Sequence, residues 1–395
     1  MTYEPAGWPP TIATLAQSLA DIGLCADAID HILTTARPAL MLAAHPADDT
    51  TIPPGMSKIG GRPDLPPGRP WPIRPAYADN GALAKAALES AERFHADAGI
   101  VPPWMDAERG AALLAETARQ KADTLAFMRS LDVDAADLDA AFAFRFTAED
   151  CVPVAREAIA KSTAASARFP LAFLAQLDLA DLAQRHGFDQ ALPPSGRLYL
   201  FYDLLLLPPS YAPSSAVGLS IFYDDTPADL LVRAEVPGPL ADVADLAGTC
   251  LSPARLLPQA AITIPFPHSR FGDALSLSKE DSALLQQWMF DHAGWPGDGP
   301  NGAHQLGGWP RESHYSMADT ATLAANGIGA GSAESHRTPE AQHCLQEASS
   351  WRLLFQLGPD QSIGNLLPGA LNILLREEDL AAGRFDRAWA VYEQS

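Results

Sequence analysis

Ser57-Lys-Ile-Gly-Gly-Arg-Pro63 and His304-Gln-Leu-Gly-Gly-Trp-Pro310 carry the same diglycine with a proline two residues on, and this recurrence decides how the chain is read. Two further landmarks follow each copy in the same order. Phe173-Leu-Ala-Gln-Leu177 aligns with Leu353-Leu-Phe-Gln-Leu357, and Pro194-Ser-Gly-Arg-Leu-Tyr-Leu-Phe201 aligns with Leu367-Pro-Gly-Ala-Leu-Asn-Ile-Leu374. Self-similarity of this kind marks a duplicated supersecondary unit. Paired glycines permit positive φ or a close backbone approach that other residues resist. Each glutamine sits in an otherwise apolar strand, with Leu174 or Leu354 two residues away on its face, so it is expected to be partly buried. An unpartnered buried amide costs about 1–3 kcal/mol, and the sequence therefore predicts that the neighbouring diglycine backbone supplies its hydrogen bonds.

Around these landmarks the pattern alternates between helix and strand. Thr11 is a plausible N-cap for Ile12, Leu15, Leu19 and Ile22 at helical spacing, with a second short helix after Asp27. Pro38-Ala-Leu-Met-Leu-Ala-Ala reads as a buried strand, and 46–75 as a Pro/Gly-rich loop. From 76 to 167 alanine dominates and apolar residues recur at 3.6-residue spacing, which predicts a helical insertion with one buried stripe. Short aromatic strands are expected at 171–177, 197–202 and 218–223, and three more at 351–357, 370–375 and 388–392. Ser278-Lys-Glu-Asp281 is a capping-box pattern ahead of Leu284, Leu285, Trp288 and Met289. Residues 294–302 read as a Gly/Pro turn region and 311–349 as a long polar, irregular stretch. The fold class is therefore α+β: two related mixed β-sheet halves about a pseudo-two-fold, with a helical insertion in the first. Residues 1–37 form N-terminal helices. The first half runs over 38–250, interrupted by the insert 76–167, and the second over 251–395.

The 395 residues carry 27 Lys+Arg against 48 Asp+Glu, a formal net charge of −21, and 47% are hydrophobic. That apolar content excludes wholesale disorder. The acidic balance argues against nucleic-acid and anionic-membrane partners, both of which need clustered Lys and Arg. No apolar run approaches the roughly 18 residues of a membrane span, and the N-terminus lacks a basic start and an apolar core; the expected location is cytoplasmic. Cys25, Cys151, Cys250 and Cys344 form no CxxC pair, and Cys25 reads as a small core residue.

Chemistry is sparse. His304, His314, His336 and His343 share one segment without HxH, HxxxH or HExxH spacing, so no metal is expected. Gly327-Ile-Gly-Ala-Gly331 lacks the phasing of a phosphate loop, and no GxSxG elbow occurs; no cofactor is expected. Lys58 beside Gly60 and Gly61 pairs a cation with backbone N–H groups, a combination suited to an anionic ligand. His304 and Gln305 hold the matching place beside Gly307 and Gly308. A cleft between the copies lined by Lys58, Gln176, His304, Gln305 and Gln356 is thus the candidate binding site, and Trp71 and Trp309 read as loop anchors.

The stretches Ser57-Lys-Ile-Gly-Gly-Arg-Pro-Asp-Leu-Pro66, Trp71-Pro72, Pro170–Leu179 and Leu192–Tyr202 resemble the YwqG-like family, a bacterial domain of unknown function, as do His304–Pro310, Leu353–Leu357 and the tail Arg376–Phe385. The resemblance covers 38–73 and 168–395 and implies architecture rather than activity. It also marks departures: Leu366-Leu-Pro-Gly369 lacks the acidic residue usual in relatives, and Arg311-Glu-Ser-His314 replaces a glutamine. Two functional expectations follow. The first is a non-enzymatic binding or protein-interaction module, such as an immunity-type factor with a basic protein partner. The alternative is a small-ligand-binding protein or enzyme using the cleft between the halves.

Overall fold

The structure, a computed structural model, describes residues 7–131, 146–246, 248–266, 269–293, 304–312 and 316–394. The Gly/Pro run 294–302 and His314 lie outside these residues. The chain falls into two compact units, Met1–Arg74 with Pro170–Ser395, and Pro75–Phe169. No helix among the described residues is long and apolar enough to cross a membrane.

The smaller unit contains helices Asn80–Ala98, Ala107–Ser130 and Ala148–Ala165. Each boundary has a local cause. Gly99 ends the first in the left-handed region, Asp106 caps the second, and Thr147 with Asp150 forms a capping box at the third. Ala91, Ala158, Ala164 and Ala165 are buried, small enough to let helices approach closely. His95 is buried too, with Nδ1 2.9 Å from the Ala91 carbonyl and its ring edge-on to Trp104.

The larger unit is a mixed α+β body built on one antiparallel sheet of ten strands. These are β1 (Arg37–Pro46), β2 (Lys58–Ile59), β3 (Ala172–Asp178), β4 (Arg197–Tyr202), β5 (Leu219–Asp224), β6 (Ala254–Thr263), β7 (Gln305–Gly307), β8 (Trp351–Leu357), β9 (Gly369–Arg376) and β10 (Trp389–Gln394). Their order is β10-β9-β8-β7-β1-β6-β2-β3-β4-β5. β1 and β6 form the centre, in register from Arg37↔Thr263 to Pro46↔Ala254. Each hydrogen-bonds outward to the short strand following the other: β1 to β7 (Met41↔Gln305) and β6 to β2 (Arg255↔Lys58). The sheet curls until its end strands approach. Trp389 Nε1 donates to the Ser210 carbonyl at 2.9 Å, and the Tyr223 and Phe385 rings lie 6.3 Å apart.

One sheet face is covered by a core that includes Leu40, Leu42, Ile59, Leu177, Leu200, Phe355 and Ile373. Over the other, α1 (Ile12–Asp21), α2 (Ala26–Thr35) and α3 (Lys279–Ala293) bring Leu15, Leu19, Ile32 and Trp288 onto Ala39 and Ala261. On the same side, α4 (Met317–Ala325) packs Met317, Ala321 and Leu323 against Trp351, Leu374 and Val391.

Three sequence expectations change here. β6 was not foreseen because Pro258 interrupts it. Leu256 N–H donates to the Ser57 carbonyl on the β2 side, so the nitrogen of Pro258, two residues on, faces the same side beyond the end of β2, where no ladder bond is required. The polar stretch 311–349 contains α4, whose residues are almost all buried; a helix covered all round shows no amphipathic period. Leu174 and Leu354 do not share a face with the glutamines. The register shifts between Phe173 and Ala175 and again between Leu353 and Phe355, so a bulge turns both leucines into the opposite core.

Gly60 tests the turn. Its φ is +63°, and a Cβ there would lie 2.3 Å from the Ser252 carbonyl oxygen. Gly60→Ala is expected to lower stability by about 2–4 kcal/mol. Gly68→Ala, at φ +77° with nothing within 4 Å, should lose only about 1 kcal/mol; urea midpoints of the two variants measure the difference.

Candidate functional site

β2 is two residues long because the diglycine turns the chain at once. Gly60 N–H donates to the Leu174 carbonyl at 2.8 Å and Gly61 N–H to the Leu251 carbonyl at 2.9 Å. Lys58 is wholly buried. Its Nζ donates to Asp49 Oδ1 at 2.9 Å and to the Arg62 carbonyl, and lies 3.7 Å from Asp64 Oδ2. Arg62 N–H donates to Asp49 Oδ2 at 2.9 Å. Gln176 crosses this frame from β3: its Oε1 accepts from Asp64 N–H, and its Nε2 donates to the Met56 carbonyl and to Asp64 Oδ2, each at 2.8 Å. Asp64 also accepts from Gly55 N–H at 3.0 Å and from Arg233 Nε at 2.8 Å. Arg233 further donates to the Asp49 and Ile52 carbonyls. The amide partners are thus residues flanking the diglycine, not the glycines as the sequence suggested.

Charges in this frame neutralise one another. Burial draws the Lys58 ammonium below its ordinary value, against the opposing hydrogen bond of Asp49 and the charge of Asp64. Burial pushes Asp64 up, but the Arg233 hydrogen bond, the Lys58 charge and the Gly55 and Gln176 donors outweigh it and leave the carboxyl below the usual range.

The second diglycine sits in the same frame with different chemistry. His304 Nδ1 accepts from Gly358 N–H at 3.2 Å, as Ser57 Oγ accepts from Asp178 N–H at 2.9 Å. Gln305 Nε2 donates to the Trp309 carbonyl at 3.0 Å, as Lys58 does to that of Arg62. Trp309 N–H donates to Thr263 Oγ1 at 2.9 Å, as Arg62 N–H does to Asp49. Arg311 N–H donates to Gln356 Oε1 at 3.2 Å, as Asp64 N–H does to Gln176. Gly307 and Gly308 have φ of +70° and +74°. Where the first frame holds Lys58 and Asp49, the second holds an amide and a hydroxyl.

The candidate residues therefore fall into two clusters. Lys58, Gly60, Gly61 and Gln176 form one; His304, Gln305, Gly307, Gly308 and Gln356 form the other, and β1 and β6 run between β2 and β7. A single cleft holding both does not arise from this strand order. Asp49, Asp64, Arg233 and Thr263 complete the frames and were missed: Arg233 and Thr263 come from segments remote in sequence, and Asp49 and Asp64, close to Lys58 along the chain, carry no motif that marks them as its partners. Trp71 Nε1 donates to the Leu171 carbonyl at 2.8 Å, and Trp309 Nε1 to the Thr35 carbonyl at 2.7 Å with Arg37 over its ring, so both anchor loops. His336 lies 3.2 Å from the Ala330 carbonyl, His343 is exposed, and His304 Nε2 is 3.2 Å from Asp360 Oδ2. No cluster of metal-ligating side chains occurs among the described residues. Cys25 is exposed at the start of α2 rather than in the core, its helical neighbours having turned their apolar side chains inward without it.

Beside the second frame, burial pulls the Arg311 guanidinium down to about 10. Burial first, then Glu393 and Asp319, push Glu312 up to about 8, against the hydrogen bonds from Met317 N–H and Ser269. The folded state therefore holds a proton that the unfolded state, with its carboxyl near 4.5, releases. The Glu312 contribution to stability falls as pH rises between those values. Glu312→Gln should make the chain more stable than wild type at about pH 8 and similar at about pH 4, as read from urea midpoints across that range.

The family model described as "Domain of unknown function (DUF1963)" matches residues 57–393, a span containing both diglycines and both glutamine strands. No curated protein matches the chain.

Proposed function

The chain belongs to this family of domains of unknown function, and we propose that it is a cytoplasmic, YwqG-like, non-enzymatic binding module assembled from two copies of one five-stranded unit. One observation carries the reading: the buried charged cluster around Lys58 spends its Nζ, the Asp64 carboxylate and the Gln176 amide within its own frame. Groups used in this way hold a fold; a catalytic group keeps a valence for its substrate.

Duplication is supported by the repeated hydrogen bonds and by the register. Met41 and Arg255 hold corresponding places opposite β7 and β2, which makes Ala43 correspond to Leu257. These two residues pair with each other, where a local two-fold axis would pass. The net charge of −21 favours a basic protein partner, as expected of an immunity-type factor. The alternative, a small-ligand site between the halves, has its support where β5 meets β10 rather than at the two frames.

Removing the Gln176 amide separates scaffold from reacting site. Gln176→Ala should lower the melting temperature by about 5 °C or more, while immobilised wild-type chain captures a basic protein from native lysate and releases it as salt rises. A Gln176→Ala protein that melts normally yet loses a turnover shown by the wild type would overturn the reading.

A further inference from the structure

A cavity of about 330 Å³ opens along the seam where the sheet comes round on itself. Leu219, Ser220 and Ile221 of β5 form one wall; Trp351, Arg376 and Trp389, from β8, β9 and β10, form the other. Such a volume suits a small molecule.

Two donors at this wall lack acceptors. Trp351 is 2% exposed, and its indole Nε1–H is buried without a hydrogen-bond partner. Arg376 Nε–H, on the half-buried neighbour, is buried without one as well. The two residues are paired across β8 and β9, and the guanidinium carbon lies 5.2 Å from the Trp351 ring centroid. By contrast, Trp389 Nε1 has its acceptor in the Ser210 carbonyl. Both nitrogens are closed to a water-sized molecule in this structure; an unmet buried donor costs about 1–3 kcal/mol, so a small turn of either side chain that brings its N–H to the cavity is offset by an occupant that accepts.

The charges agree. Among the described residues neither Arg376 nor Arg387, which also lines the cavity, makes an ion pair. Asp379 on the same lining is neutralised by Arg384 Nε at 2.7 Å, leaving exposed Asp386 as the remaining carboxylate. The lining thus carries two arginines against one uncompensated acid.

We propose that this seam cavity binds a small organic carboxylate, its two oxygens accepting from the Arg376 guanidinium edge and the Trp351 indole N–H, with the rest of the molecule against the aromatic wall. A planar donor set matches a planar carboxylate better than a tetrahedral, doubly charged phosphate. The site goes beyond protein-partner binding and stands whether or not such a partner exists.

Calorimetric titration of the full chain at low ionic strength tests it, with sodium benzoate, sodium oxalate and inorganic phosphate as probes. A carboxylate should bind saturably. Arg376→Met should weaken it about tenfold or more, and Trp351→Phe, which keeps a ring and removes the donor, about three- to tenfold. Should Arg376→Met fail to fold, Arg376→Lys keeps the charge without the planar fork and should still lose most of the affinity, while exposed Arg387→Gln should lose less. The proposal is overturned by no binding of either carboxylate at about 10 mM, by undiminished binding in the arginine and tryptophan variants, or by phosphate binding more tightly than both carboxylates.

Discussion

The ten-residue ladder between β1 and β6 is the constraint from which the larger unit follows. Each of these strands hydrogen-bonds to the short strand that follows the other in the sequence. The short strand that follows each is held by the other, so the segments around β1 and β6 form one sheet. The alternation of a strand fixes the rest. With Leu40, Leu42, Ala254 and Leu256 committed to one core and Ala39 and Ala261 to the helix-covered face, a one-residue slip would reverse every side chain.

The diglycines explain how two very short strands stay in register at the edges of that ladder. A left-handed pair lets the chain leave β2 or β7 immediately and return over the sheet face, where its backbone N–H groups meet a glutamine amide and a side-chain oxygen. The frame is indifferent to charge provided its bonds are made: Lys58 and Asp49 serve in one place, Gln305 and Thr263 in the other. Buried ion pairs commonly contribute no more than neutral groups of similar shape, whereas leaving one charge unpartnered loses about 3–5 kcal/mol. Interchangeable chemistry on a fixed hydrogen-bonding pattern is the expected consequence.

Much of this is legible in the sequence. The repeated landmarks marked both glutamine strands, and within the alanine-rich 76–167 the described residues form the helices Asn80–Ala98, Ala107–Ser130 and Ala148–Ala165. What was not legible has physical reasons. Pro258 disguises a central strand because its missing donor faces an open side, and α4 is covered too completely to show a period. The bulges at Phe173–Ala175 and Leu353–Phe355 invert the expected faces with no sequence mark. The candidate residues fall into two groups, and spacing along a chain does not reveal that β1 and β6 come between them. The seam cavity depends on Trp351, Arg376 and the far edge of β5, and no local motif joins those.

The central claim is that the Lys58 and Gln305 frames are the same structure with different charges. It is tested most directly by giving the first the chemistry of the second. Lys58→Gln and Asp49→Thr, each alone, should lower unfolding free energy by about 3 kcal/mol, because each breaks the buried pair and leaves Lys58 only Asp64 and the Arg62 carbonyl, or Asp49 only Arg62 and Arg233. The double variant, which removes both charges and restores the amide and hydroxyl seen at Gln305 and Thr263, should return to within about 1 kcal/mol of wild type. A double variant whose loss equals the sum of the two single losses would contradict the account.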